Sequence, residues 1–389
     1  MKKPSPLLSI FLIVLVDVLG LTIILPLLPF YAESLGATPA TVGLLVSAYA
    51  ICQLLAGPPL GHLSDRVGRR PVLLVSQMGT FAGFLLLASA QTLWVVFLAR
   101  IIDGLTAGNL SVAQAYISDV TVPEKRAKAF GLIGIAFGLG FLVGPAVSGF
   151  LAQYSNHYPI LAAAGLSFTS IMATYFLLPS VSPHPEAVQE HEKAGRWKVY
   201  SDAFRDGALS PLLWQFFAFT FAFATFISGF ALFAERRLMY NAAPFGPKEV
   251  GYVLAFSGLV GVLIQGGLIG RLVNSLGESR LVQMGFGSMA IGFALMSSVR
   301  YIPYLLVAIA LMTFGHSILR PSLTSLITNR VARHRQGMAI GLMQSMMSVS
   351  QITAPVVGGV LIGHNFFSTW AWAGGLVCAV GWSLIAAAK

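Results

Sequence analysis

A carboxylate stands inside the first long apolar run of this chain: Asp17, within SIFLIVLVDVLGLTIILPLLPF, residues 9–30. An ionised acid in hydrocarbon costs at least about 2.5–3.5 kcal/mol on insertion scales, and desolvation favours its protonated form. A group of this kind can carry a proton, charged where water reaches it and neutral while it crosses an apolar barrier. The alternative is a structural carboxylate bonded to a neighbouring hydroxyl or amide. Arg100 and Asp103 lie three apart in another apolar run, a spacing that puts them on one helical face. Arg100 cannot be neutralised, so it must meet a carboxylate, carbonyls or cavity water. The two form either a permanent buried pair or one that a proton or an anionic substrate group breaks. His316 and Arg320, four apart, either line a cavity together or leave Arg320 to reach for the membrane interface. Gln53, Asn109, Gln114, Gln265 and Gln344 are uncharged polar residues in similar runs. In a cavity they would orient a substrate; elsewhere they bond across helices.

The elements that must position these groups follow from composition. Hydrophobic residues make up 56% of the 389 and charged residues 10%, against roughly 25% charged in soluble proteins. A soluble fold this poor in charge could not cover its surface, so lipid is the expected solvent. Apolar runs fall at about 7–31, 40–62, 71–90, 93–118, 129–152, 158–178, 211–235, 248–273, 281–299, 302–327, 337–362 and 367–387. Each approaches the about 20 residues that a bilayer core demands of a helix, and exceeds the 9–11 of a barrel strand. The expectation is an all-α membrane protein of twelve transmembrane helices. The first run is too long for a signal-peptide core and lacks a small-residue cleavage site. The net charge of +10 is spread over short hydrophilic gaps, not gathered on one face, which argues against nucleic acid as a partner. Cys52 and Cys378 sit in apolar runs and suggest neither disulfide nor metal cluster. No phosphate-cradling Gly-Lys-Ser/Thr loop and no His/Glu set with metal spacing occurs, so neither ATP-driven pumping, enzyme chemistry, metal nor cofactor is expected.

Orientation follows from the basic residues. With the N-terminus cytoplasmic, eighteen of the 24 Lys and Arg fall in inner segments and four (Arg236, Arg237, Lys248 and Arg300) in outer ones. Both termini are therefore expected inside. The longest polar stretch divides the chain into an N-terminal six-helix bundle (1–180), a cytoplasmic linker (181–210) and a C-terminal six-helix bundle (211–389). Arg196-Trp197-Lys198-Val199-Tyr200 in that linker reads either as an amphipathic helix on the inner leaflet or as solvated chain. The halves repeat. Gly61-His62-Leu63-Ser64-Asp65-Arg66-Val67-Gly68 recurs as Gly270-Arg271-Leu272-Val273-Asn274-Ser275-Leu276-Gly277; Gly131 falls opposite Gly341; Gly144-Pro145-Ala146-Val147 falls opposite Ala354-Pro355-Val356-Val357. Parallel repeats of six helices place a substrate site near the bilayer midplane between them.

At these residues the chain resembles the major facilitator superfamily. GHLSDRVGRR, residues 61–70, matches that family's loop between helices 2 and 3. Arg100, Gly104 and Gly108 resemble its helix 4 motif. Gly134 and Gly138 followed by Gly144, Pro145 and Gly149 resemble the helix 5 motif associated with antiporters. Asp17-Val18-Leu19-Gly20 with Pro26-Leu27-Leu28-Pro29 resembles helix 1 of proton-coupled drug antiporters. Within that group the likeness is closest to the tetracycline/proton antiporters, covers the whole chain, and is tighter in the first half. The resemblance implies a coupling role for Asp17 and a proton-relay role for Arg100, and Gln53 matches a tetracycline-antiporter position. It also implies a cytoplasmic latch built on Gly61, Asp65, Arg66, Gly68, Arg69, Arg70 and Asp119. There Arg69 pairs with Asp119 while Asp65 faces a helix dipole in the other half. Asp103 is not part of that helix 4 motif. The helix 5 glycines equally serve close helix packing, and Pro145 permits a bend. Two departures matter: Gly83 stands where tetracycline antiporters carry an acid, and Gly261 where they carry a histidine. The second loop has Asn274 in place of its acid.

These features predict a secondary active transporter expelling amphiphilic small molecules in exchange for protons by alternating access. It is expected to work as a monomer in a lipid bilayer, the inner membrane of a bacterium. Proton symport or facilitated diffusion of a small metabolite is the competing reading; a non-transporting binding protein on the same fold is a third, against which the buried Asp17 and Arg100 argue.

Overall fold

The computed structural model describes residues 6–122, 126–179, 203–331 and 336–385. Residues 196–200 and most of the expected linker lie outside them. In chain order the helices are α1 (Pro6–Ser34), α2 (Pro39–Val67), α3 (Arg69–Ala88), α4 (Leu93–Leu105), α5 (Asn109–Val120), α6 (Arg126–Ala152) and α7 (His157–Leu177). There follow α8 (Ser210–Arg237), a hairpin of β1 (Met239–Tyr240) and β2 (Ala243–Pro244), and α9 (Pro247–Leu263). A π-turn (Ile264–Leu268) joins α9 to α10 (Ile269–Leu276), and α11 (Glu278–Ser297), α12 (Ile302–Arg330), α13 (Gln336–Gly363) and α14 (Phe367–Ser383) complete the order.

Ten stretches among the described residues are long and apolar enough to cross a membrane, with α4–α5 and α9–α10 each counting as one. The two remaining long helices fall short for visible reasons. α14 has 17 described residues, and α11 starts on Glu278 and Arg280 and carries Gln283 and Ser288.

Two of the expected continuous runs are interrupted. The run at 93–118 breaks between α4 and α5, where the Thr106 hydroxyl donates back to the Ile102 carbonyl (2.8 Å) and Gly108 N–H donates to Thr106 O at 2.7 Å. Glycines at 104 and 108 weaken the helix on either side of that turn. The run at 248–273 widens into the π-turn at Gly266-Gly267. Such turns concentrate at functional sites.

The described residues of Met1–Ala37, Ala48–Lys193 and Pro247–Gly258 form one compact unit; those of Thr38–Ser47, Ala194–Gly246 and Leu259–Lys389 form another. In the first, α1 packs on α6 and α7, and α3 on α7 and α4. In the second, α8 packs on α13 and α14, and α11 on α14 and α12. The same pairings recur element for element, as two repeats require.

Glycine sets the closeness of α1 and α6. A Cβ on Gly144 would come within 2.8 Å of Thr22 Cβ, and one on Gly140 within 2.5 Å of Val18. Thr22 Oγ1 donates to the Gly140 carbonyl at 2.9 Å across this contact. Gly149 abuts Lys248 and Gly251, whereas a Cβ on Gly134 would meet nothing within 4 Å. Gly144→Leu should therefore cost about 1–3 kcal/mol through overpacking, read as a lowered melting temperature in detergent. Gly134→Ala should stay within about 0.5 kcal/mol of the parent. Equal losses would show that the glycines do not set this interface.

Candidate functional site

The first unit holds a polar cluster inside an apolar bundle. Asp17, half-buried on α1, hydrogen-bonds Gln77 of α3 and Ser170 of α7. Gln77 Nε2 also donates to Ser170 Oγ at 2.7 Å, and both residues are fully buried. Asp103 of α4 hydrogen-bonds Thr80 of α3 and lies close enough to Asp17 to interact with it electrostatically. Arg100 Nη1 stands 3.3 Å from Asp103 Oδ2, with the two side chains only 5% and 6% exposed. The guanidinium carbon lies 6.0 Å from the centre of the Tyr49 ring and 5.9 Å from that of Phe84, within cation–π range. Arg100 Nε and Nη2 are buried without a hydrogen-bond partner. One carboxylate at 3.3 Å thus holds a guanidinium with donors to spare.

Close helix approach makes the cluster possible. A Cβ on Gly83 would stand 3.1 Å from Asp103 Cβ and 3.2 Å from the Ala99 carbonyl. Asp103 therefore fills the space beside position 83. Gly104 packs on the Tyr49 carbonyl and Cys52. Gln77, Thr80, Ser170, Tyr49 and Phe84 were not singled out from sequence. Gln77 alone carried a visible signal, an amide in an apolar run; the others acquire their place only from how α2, α3, α4 and α7 meet.

A second set lies on α2, α3 and α5. Arg69 is bracketed by two carboxylates: its Nε donates to Asp119 Oδ2 at 2.8 Å, and it pairs with Asp65 one turn back. Its Nη1 also donates to Ser64 Oγ at 2.7 Å. Gly68, at φ +102°, supplies the left-handed residue that reverses the chain before α3. Arg70 caps the Tyr175 carbonyl and lies over that ring, while Arg66 is exposed. Beside Gly61 there is open space.

In the second unit His316 is stacked on Phe223, with ring centres 3.7 Å apart, and faces Phe219 at 5.3 Å. Arg320 follows one turn later and is exposed. Gln265 lies exposed on the π-turn and Gln344 exposed on α13. In the first unit Gln53 donates to the Tyr49 hydroxyl at 3.2 Å. Asn109 opens α5 with its Oδ1 buried and unpartnered, and Gln114 is exposed.

A sequence model of the Major Facilitator Superfamily matches residues 10–299 and 245–388. The chain belongs to that superfamily. It is 32% identical over 354 residues to the tetracycline resistance protein, class G, of Vibrio anguillarum, covering 89% of this chain and 87% of the relative. It is 28% identical over 379 residues to multidrug resistance protein 2 of Bacillus subtilis (strain 168), covering 94% and 92%. Among solved structures, a crystal structure of the nucleoside transporter NupG superposes with a TM-score of 0.76 at 16% identity, covering 99% of this chain and all of that one. This facilitator is a multi-pass integral membrane transporter, and its relatives and fold are those of transporters rather than enzymes.

Removing one partner of a buried pair strands the other charge, at about 3–5 kcal/mol. Asp103→Asn should therefore lower thermal stability markedly, while Arg100→Leu combined with Asp103→Leu recovers most of the loss. Melting curves of the two variants in detergent check this, and a double variant no better than the single one contradicts it.

Proposed function

We propose that this facilitator is a proton-driven antiporter that expels amphiphilic small molecules by alternating access, working as a monomer in the inner membrane of a bacterium. On this reading the chain crosses the bilayer twelve times, α11 and α14 included, with both termini inside. The bundles 1–180 and 211–389 are joined by the cytoplasmic linker 181–210. The observation that carries the reading is the Asp17 cluster. A half-buried acid faces two neutral hydrogen-bonding groups, Gln77 and Ser170, and no cation among the described residues pairs with it directly. Such a carboxylate can be held whether ionised or protonated.

Asp103 gives the proton a consequence. It interacts electrostatically with Asp17 and is the sole salt-bridge partner of Arg100 among the described residues. A proton arriving on one acid relieves repulsion on the other. The loosely held guanidinium, with two unpartnered nitrogens, can then change partners. Protons entering from outside would in this way be exchanged for substrate. Relatives named for tetracycline and multidrug resistance support outward movement of amphiphiles. The Asp65–Arg69–Asp119 set acts as a cytoplasmic latch that opens and closes in each cycle.

Two experiments test this. In energised inside-out vesicles, tetracycline, norfloxacin or 2-naphthoate should release part of the pH gradient with the parent protein and not with Asp17→Asn. Identical initial rates of drug movement in proteoliposomes with and without an imposed gradient would remove the proton from the mechanism. For the latch, Arg69→Ala should slow transport by at least about tenfold, on the order of 1.4 kcal/mol, while equilibrium binding of the same compounds changes little. Unimpaired flux would reduce this set to a determinant of topology.

A further inference from the structure

The two units treat their membrane-depth cations differently. Arg100 has its own carboxylate, but Arg320, near the middle of the 29-residue α12, has no hydrogen-bond or ion-pair partner among the described residues. The carboxylates described in the second unit are committed elsewhere. Asp206 accepts from the Ala208 and Leu209 N–H groups, Glu235 pairs with Arg236, and Glu278 accepts from Ser325.

The position of Arg320 on its helix says where it points. Successive residues turn by about 100°, so Arg320 lies about 40° from His316 and about 60° from Ser317. His316 is the residue of α12 that meets α8, through Phe219 and Phe223. Ser317 and Thr313 meet α9, at 3.6 and 3.7 Å from a Cβ built on Gly261, and Phe314 and Ile318 cluster with Val260 and Ile264 further round. Arg320 is thus bracketed by two helix contacts, in the angle between α8 and α9, and is accessible there. Gly261 contributes no side chain to fill that angle. Around it His316 Nδ1 and Ser317 Oγ are buried without partners, a condition that calls for an explanation in a folded protein.

We propose that Arg320 is the receptor for an anionic group on the transported molecule, with the Phe219–His316–Phe223 stack as the wall against which its aromatic part lies. The substrate class is then a planar aromatic compound bearing one carboxylate or a similar delocalised anion. Guanidinium suits such a group because its fork of donors meets two oxygens at once. The aromatic preference follows from the half-buried Phe223 ring, stacked on His316 one turn from the charge. This proposal rests on the transporter reading and names the substrate of that site.

The test is equilibrium binding to purified full-length protein in neutral detergent, using 2-naphthoate, its neutral analogue 2-naphthamide and the cation 2-naphthylmethylammonium. Naphthoate should bind at least about tenfold more tightly than the amide, equivalent to about 1.4 kcal/mol, and the cation least. Arg320→Gln should abolish that preference while leaving amide binding within about twofold; Arg320→Lys should keep part of it. Equal affinity of the three probes for the parent protein, no saturable naphthoate binding, or an unchanged preference in a folded Arg320→Gln protein would each overturn the proposal. Should Arg320→Gln not fold, the comparison of probes on the parent still decides. Binding here needs no gradient. Naphthoate preference with gradient-independent flux would leave the anion site standing while removing proton antiport.

Discussion

A guanidinium in a water-poor helical interior must be answered by something, and in the first unit the answer is Asp103. Much of the local architecture serves that single pair. Glycines at 83 and 104 let α3 and α2 close on α4, α4 ends two residues beyond Asp103, and two aromatic rings flank the cation. The pair is buried yet uses few of the hydrogen bonds available to arginine. Asp17 is tied to the same place through Gln77, Ser170 and the field of Asp103. Close packing and partial hydrogen bonding within the unit offset the cost of burying these charges.

A carboxylate on α4 occupies the space that glycine leaves on α3. A Cβ at position 83 would stand 3.1 Å from that of Asp103, so this charge sits at the contact of α3 with α4. Beside Gly261 the adjoining face of α12 offers Ser317 and Thr313.

Most of the helices were legible in the sequence because apolar length is a strong signal and needs no tertiary information. The interruptions at 106–108 and 264–268 were not. Glycine in a membrane helix is compatible with continuity, and only the Thr106 hydroxyl and neighbouring backbone decide otherwise. Charged residues could be picked out because each is anomalous in an apolar run. Their uncharged partners could not, since Ser170, Thr80 and Tyr49 look ordinary until helices distant in sequence bring them together. The contrast is sharpest at His316. Its relation to Arg320 was readable from a spacing of four, but its stacking on Phe219 and Phe223 depends on how α8 lies against α12. Among the helix 5 glycines, Gly144 and Gly149 meet close neighbours while Gly134 meets open space, a difference that a motif cannot express.

Gly68 and Gly277 both adopt positive φ, at +102° and +76°, and each opens the helix that follows. The backbone reversal thus survives in both repeats, although the flanking acid and basic pair persist only in the first. Hinge shape and ionic strength are therefore separable properties of this motif. Among the described residues the second elbow thus lacks the ion-paired set that Asp65, Arg69 and Asp119 form beside the first, and it turns by backbone conformation alone.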